Sequence, residues 1–144
     1  MSIIPQQNER LVLYEGSTFD ETWTFYEDDE VTLMDLTGWG AELKVAADWP
    51  HLGSPILLAI ANGALTPGPT AKAILIGDAA GTARIYVGST VMAALNAADF
   101  TNTPDEEGNP VYTGKWDLEL IKPVTLERFR YAMGEVSLSP EVTV

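Results

Sequence analysis

The chain has 144 residues, 46% hydrophobic and 20% charged, with no cysteine and a formal net charge of −13. That length suits one domain with a real core, and the missing cysteine excludes disulfides, thiolate metal sites and thiol nucleophiles. The negative charge repels phosphate, which argues against nucleic acid and anionic membranes as partners and leaves proteins or neutral ligands.

Residues 1–9 form an expected N-terminal arm carrying Pro5, followed by a single domain over 10–139 and a C-terminal arm over 140–144 carrying Pro140. Residues 1–7 lack both a basic segment and a long apolar one, so no export signal is expected. The first strand places Phe19, Trp23 and Phe25 on one face and Asp20, Thr22 and Thr24 on the other, with Glu21 as a misfit on the apolar side. Asp35-Leu36-Thr37-Gly38 predicts an Asx-type turn in which Gly38 takes a positive φ. Trp39, Ala41, Leu43 and Val45 then alternate with Gly40, Glu42 and Lys44. The longest apolar run, residues 55–61, falls far short of the roughly 20 residues of a membrane helix. Pro67-Gly68-Pro69 breaks the chain, and Asp78-Ala79-Ala80-Gly81 predicts a hairpin loop between 73–76 and 82–87. In the second arm of that hairpin Ala83, Ile85 and Val87 oppose Thr82, Arg84 and Tyr86.

Residues 89–98 predict the one short helix, capped by Ser89 or Thr90, with Val91, Leu95 and Ala98 on one side. Met92 stands where a capping box would need an acid or amide. A polar loop over 105–110 precedes a strand with Tyr112, Gly114, Trp116, Leu118 and Leu120 on one face and Thr113, Lys115, Asp117 and Glu119 on the other. In the last strand the apolar phase switches from Phe129, Tyr131 and Met133 to Val136 and Leu138, predicting a β-bulge or a break at Gly134. Together these elements predict an all-β, antiparallel, immunoglobulin-like β-sandwich of about eight strands with one helix near 89–98. A closed barrel is the alternative architecture.

Charge is uneven along the chain. Residues 51–98 carry only Lys72, Asp78 and Arg84, whereas 1–50 hold 11 acids against 2 bases. Two explanations stay open: central strands, or a surface lying against a neighbour, since interface cores are depleted in charge.

Catalytic and metal-binding patterns are sparse. His51 is the only histidine, no Gly-x-Ser-x-Gly elbow accompanies it, and zinc needs several such ligands. The acidic runs 27–30 and 105–107 do not follow the spacing of a calcium loop. A glycosidase pair depends on separation in space, which sequence does not reveal. No catalytic residue, metal or cofactor is therefore expected. Trp23, Trp39 and Trp116 are in phase with apolar faces and belong to the core. Trp49 falls in a loop before Pro50 and His51, where an aromatic serves to anchor a protein or glycan contact. With His51, Leu52, Ile56, Leu57 and Leu58 it forms the candidate partner surface.

Several elements recur in a recognisable order: Gly16-Ser17-Thr18-Phe19, the 35–38 turn before the 39–45 strand, and Ala83-Arg84-Ile85-Tyr86-Val87 before the helix. Then come Gly114-Lys115-Trp116-Asp117-Leu118-Glu119-Leu120 and a closing Gly134-Glu135-Val136-Ser137-Leu138-Ser139. Over roughly 10–144 this order resembles the small β-sandwich proteins of tailed phages and prophages associated with tails and baseplates, including N-terminal domains of upper-baseplate proteins. Residues 46–72 have no counterpart in it. The resemblance implies a non-enzymatic structural role in a virion assembled in the host cytoplasm, with contacts to other virion proteins and to copies of itself in a symmetric ring or shell. A host-glycan or receptor-binding module of a tail fibre is the alternative.

Overall fold

Alternating apolar residues become strands here because one face of each is sealed against a second sheet. The computed structural model describes residues 6–7, 10–27 and 29–139. Its strands are β1 (Gln6–Gln7), β2 (Leu11–Tyr14), β3 (Phe19–Thr24), β4 (Gly40–Ala46), β5 (Ile56–Ala61), β6 (Lys72–Ile76), β7 (Thr82–Val87), β8 (Thr101–Asn102), β9 (Tyr112–Ile121) and β10 (Arg128–Ser139), with one α-helix, α1 (Ser89–Ala93). The fold is thus all-β. Seven strands form one sheet in the order β1-β10-β9-β4-β5, with β2 also on β10 and β8 on β9; β3-β7-β6 form the other. These are more strands than the eight or so predicted, because the N-terminal segment pairs twice along β10 and β8 is a two-residue addition. Gln6–Gln7, expected in an arm, run parallel to β10 opposite Ala132 and Met133. The remaining arm residues lie outside the described residues.

The core fills the space between the sheets. Trp116, Leu118 and Leu120 of β9 point inward beside Ala41, Leu43 and Val45 of β4, with Ala83, Ile85 and Val87 of β7 opposite. Trp23 leans on Trp116 with ring centroids 5.4 Å apart, and Phe25 meets Tyr131 edge-on at 4.6 Å. Trp39 is buried beside Phe129. Glu21, the misfit, is exposed and accepts the Trp23 indole N–H at 3.1 Å.

Three local expectations are corrected. The bulge falls between Arg130 and Ala132 rather than at Gly134, and β10 runs on without a break. Tyr131 is the inserted residue, so Ala132, Gly134, Val136 and Leu138 share the inner face and Met133 is half-buried opposite Asp117. The helix stops at Ala93 and a 3₁₀ turn, Ala97–Asp99, follows. Its N-cap is Gly88 with no side-chain cap, and Met92 and Leu95 are the buried positions while Ala98 is exposed. Tyr86, assigned to an outer face, is 7% exposed because its hydroxyl donates to the Gly68 carbonyl under the 67–69 loop. Among the described residues no helix is long and apolar enough to cross a membrane.

The turns form as their residues dictate. Asp35 Oδ1 accepts the Thr37 N–H and hydroxyl, and Gly38 takes φ +80°. Gly81 closes the β6–β7 hairpin at φ +66°, where a side chain would also press on the Met34 and Phe25 carbonyls. The Arg84 guanidinium holds the Asp20 carboxyl below the usual carboxylate range by paired hydrogen bonds at 2.9 and 2.8 Å. The Thr32 hydroxyl lowers Asp29 and the Thr37 hydroxyl lowers Asp35, each helped by backbone N–H groups. A carboxyl depressed on folding contributes stability above its unfolded value, and that contribution is lost as pH falls through the folded value. The urea midpoint is therefore expected to fall below about pH 4, even though acid relieves the net negative charge. Asp20→Asn is expected to flatten part of that decline, which paired urea titrations at neutral and acidic pH would show.

Candidate interaction surface

The connection between β4 and β5 is short and stiff. Trp49 precedes a 3₁₀ turn, Pro50–Leu52, that starts on proline and closes on Gly53 at φ +92°, whose N–H donates to the Pro50 carbonyl. The Asp48 carboxylate accepts the Trp49 N–H at 2.8 Å, and Ser54 Oγ accepts the Asp48 N–H at 3.3 Å. This turn lays the half-buried Trp49 along the outer face of the seven-stranded sheet. There the Lys115 ammonium stands 5.2 Å from the centre of its ring and 3.2 Å from Glu135. Arg10 lies alongside, its guanidinium donating to Ser137 Oγ. Arg10, Trp49, Lys115, Gly134 and Glu135 line a pocket of about 250 Å³. That is below the ~300 Å³ at which small-molecule sites begin.

The predicted surface residues separate. Leu52 is 72% exposed and Ile56 43% exposed. Leu57 is half-buried against the core, and Leu58 is 5% exposed within it. Leu58 thus offers no surface to a partner, because β5 alternates and its even positions 58 and 60 point inward. The His51 side chain lies outside the described residues.

β5 is also an edge. It pairs with β4 on one side, and among the described residues the opposite side meets the second sheet through a bridge from Asn62 to Ile74. Asn62 exchanges hydrogen bonds with Ala41, its N–H donating to the Ala41 carbonyl and its Oδ1 accepting the Ala41 N–H. Alternation along an antiparallel ladder then turns the backbone groups of Ala61 and Ala59 away from β4, with Ala61 beside the Ile74 bridge, and a bulge at Leu57 interrupts the ladder before Ile56. The low-charge middle of the chain therefore holds only one central strand, β7; β5 and β6 are both sheet margins.

Five of the eight basic residues, Arg10, Lys44, Lys115, Arg128 and Arg130, sit on the outer face of the large sheet. Lys44 lies 2.8 Å from Glu42, and Arg128 approaches Glu42 at 3.5 Å and Glu119 at 3.8 Å. The Lys44 hydrogen bond holds the Glu42 carboxyl low against the opposing effect of burial, and Glu42 in turn raises Lys44. Asp117, 1% exposed, is the one buried polar or charged residue among the described residues, with Arg130 Nε at 3.9 Å. Glu42, Asp117, Glu119 and Glu135 stand among those five bases, so acids and bases nearly balance on this face of a chain of −13.

Outward alternation at Lys115 and Glu135 is legible in the sequence, but their meeting with Trp49 is not, since it needs the β9–β10 register. A second, larger cleft of about 410 Å³ runs along Trp39, Asn62, Ile74 and Asp78. Among the described residues no group of three or more His, Asp or Glu is placed to hold a metal ion. No protein-family model matches the chain, and neither does any curated protein sequence.

Proposed function

We propose that this chain is a non-enzymatic structural or assembly protein of a tailed-phage virion, in the tail, baseplate or head-to-tail region. It would act through contacts with other virion proteins and with copies of itself in a symmetric ring or shell. The observation that carries the protein-contact reading is β5. Natural edge strands are blunted with charges, bulges or covering loops. The β3 edge follows that rule with Asp20 and Glu21, whereas β5 (Ile56–Ala61) has a bulge at Leu57 but no charge, with Ile56 exposed at its start and Leu52 exposed before it. An uncharged edge on so acidic a chain is where a neighbour adds a strand with least repulsion.

The virion assignment rests on the order of sequence elements described above. An immunoglobulin-like sandwich fits that class. It is supported by a strand order in which the short β2 runs parallel to the last strand, the last two form a long hairpin, and the opposing sheet is β3-β7-β6. Lys115 stands over one face of Trp49, which leaves less of the ring for a sugar to stack on and weighs against the glycan alternative. The test is mass spectrometry of purified particles with copy counting. The expected result is a copy number set by a rotational symmetry, and absence from the particle rejects the proposal.

A further inference from the structure

Residues 62–63 read Asn-Gly, the only such step in the chain. In this pairing the asparagine side chain is most open to attack by the backbone nitrogen that follows it, because glycine sets no Cβ beside that nitrogen. Asn62 and Gly63 are exposed, as are Ala61 and Ala64 on either side, so water reaches the site.

The reaction needs only water. Gly63 N bonds to Asn62 Cγ, the bond from Cγ to the side-chain nitrogen breaks, and the proton given up by Gly63 N leaves with that nitrogen as ammonia. A succinimide ring remains, and water opens it. Opening at Cγ gives aspartate in an unaltered main chain. Opening at the main-chain carbonyl gives isoaspartate, whose backbone runs through Cβ and Cγ and is one carbon longer.

The fold holds the reacting groups back from this step. The Gly63 N–H donates to Ile74 O at 3.1 Å, in the bridge that joins β5 to β6. The carboxamide is pinned as well: Asn62 Oδ1 accepts the Ala41 N–H at 3.0 Å, and Asn62 N–H donates to Ala41 O at 2.9 Å. It lies over Gly40, where an added Cβ would meet Oδ1 at 3.1 Å. The Ala41 donor stabilises negative charge growing on Oδ1 and so favours attack. That help has no effect while Gly63 N is committed to Ile74, so release of the nucleophile decides the rate.

We propose that Asn62 is a latent site of deamidation and isoaspartate formation, held closed by its junction with Ala41 and Ile74 and reactive when that junction opens. The change is one-way. The extra backbone carbon shifts Gly63 N relative to Asn62 N, so the bonds to Ala41 and Ile74 no longer form together. The sheets then part along the cleft lined by Trp39, Asn62 and Ile74. Asn62→Asp keeps the main chain and an oxygen for the Ala41 N–H, and so keeps the junction. This chemistry is independent of any role in assembly.

The test ages the full chain at mildly alkaline pH, folded or in guanidinium chloride, and digests it with trypsin. Cleavage after Lys44 and Lys72 releases a peptide in which Asn62 is the one amide side chain, so the mass gain of an amide becoming an acid reports on it alone. The unfolded chain is expected to react, with isoaspartate and aspartate peptides separable by chromatography. The folded chain is expected to react at least about tenfold more slowly, since three hydrogen bonds must open first. Gly63→Ala adds a Cβ with nothing within 4 Å. It is expected to fold like wild type, to react more slowly in denaturant and, aged alike, to control for changes elsewhere. Refolded aged wild type is expected to contain, in proportion to its isoaspartate, a population that unfolds at lower denaturant than Asn62→Asp. Unaged wild type is the reference if Asn62→Asp does not melt cooperatively. An unfolded chain that keeps its amide, a folded chain that reacts as fast as the unfolded one, or isoaspartate-bearing chain as stable as the reference would each overturn the proposal.

Discussion

Replacing Trp116 with alanine is expected to lower the unfolding free energy by about 3–5 kcal/mol, a large share of the ~5–15 kcal/mol typical of a domain. Trp116 is the largest fully buried side chain, at 1% exposure. It sits at the centre of the β10-β9-β4 ladder, paired across to Val45 on one side and Gly134 on the other. Trp23 of the opposing sheet packs on it at 5.4 Å, so truncation opens a cavity touching both layers. The neighbours are strands tied by backbone ladders, which cannot collapse far into that space. Urea unfolding would show a lower midpoint with an unchanged slope. Trp116→Phe should recover about half the loss. A midpoint change worth less than about 1 kcal/mol would mean the two sheets are not sealed through this residue.

Gly88→Ala is expected to cost about 3 kcal/mol through a different cause, overpacking against backbone. Gly88 has ordinary extended dihedrals, φ −68° and ψ 159°, so conformational freedom is not its role. A Cβ there would drive into the carbonyl groups of Gly68 and Pro69, which have no side-chain freedom to retreat. The 67–71 loop is held against Gly88 by hydrogen bonds from Gly88 N–H to Ala71 O at 2.7 Å and from Thr90 N–H to Pro69 O at 2.9 Å. The Tyr86 hydroxyl adds a third to Gly68 O. Displacing the loop forfeits these bonds, at about 1 kcal/mol each, and uncovers Tyr86. A fall in melting temperature with new proteolytic cleavage in 67–71 would establish the effect. Gly63→Ala, where a Cβ meets nothing within 4 Å, is the neutral control.

Both residues illustrate how far the primary structure reaches. Trp116 is legible because period-two alternation over 112–120 needs no partner to be recognised. Leu118 and Leu120 follow on the same face, and the inward sets of neighbouring β4 and opposing β7 obey the same rule. The 35–38 and 78–81 turns are equally local, since their hydrogen bonds and positive φ values involve residues a few positions apart. Gly88 is different: what it must avoid comes from residues about twenty positions earlier, and only the packed loop reveals the conflict.

The β10 bulge marks the boundary between the two kinds of information. The switch from Tyr131 to Val136 on the inner face demands one extra residue somewhere between them. Its position depends on pairing with β9, which inserts Tyr131 and sets Gly134 directly across from Trp116. The partner surface shows the same limit. Trp49 stands out along the chain as a tryptophan before a proline in a loop, but Arg10, Lys115 and Glu135 join it only through the folded sheet. Leu58 looked like surface within an apolar run and is core by its place in the β5 alternation. Val124 and Leu126 look ordinary in sequence and become exposed, left-handed residues only at the end of a formed hairpin. The amino-acid order by itself determined an all-β chain, its inward faces, its turns and its acidity, because those follow from periodicity, short-range hydrogen bonding and composition. The tertiary structure alone decided strand order, which edges stay open and which charges meet, because those depend on contacts between residues far apart in the chain.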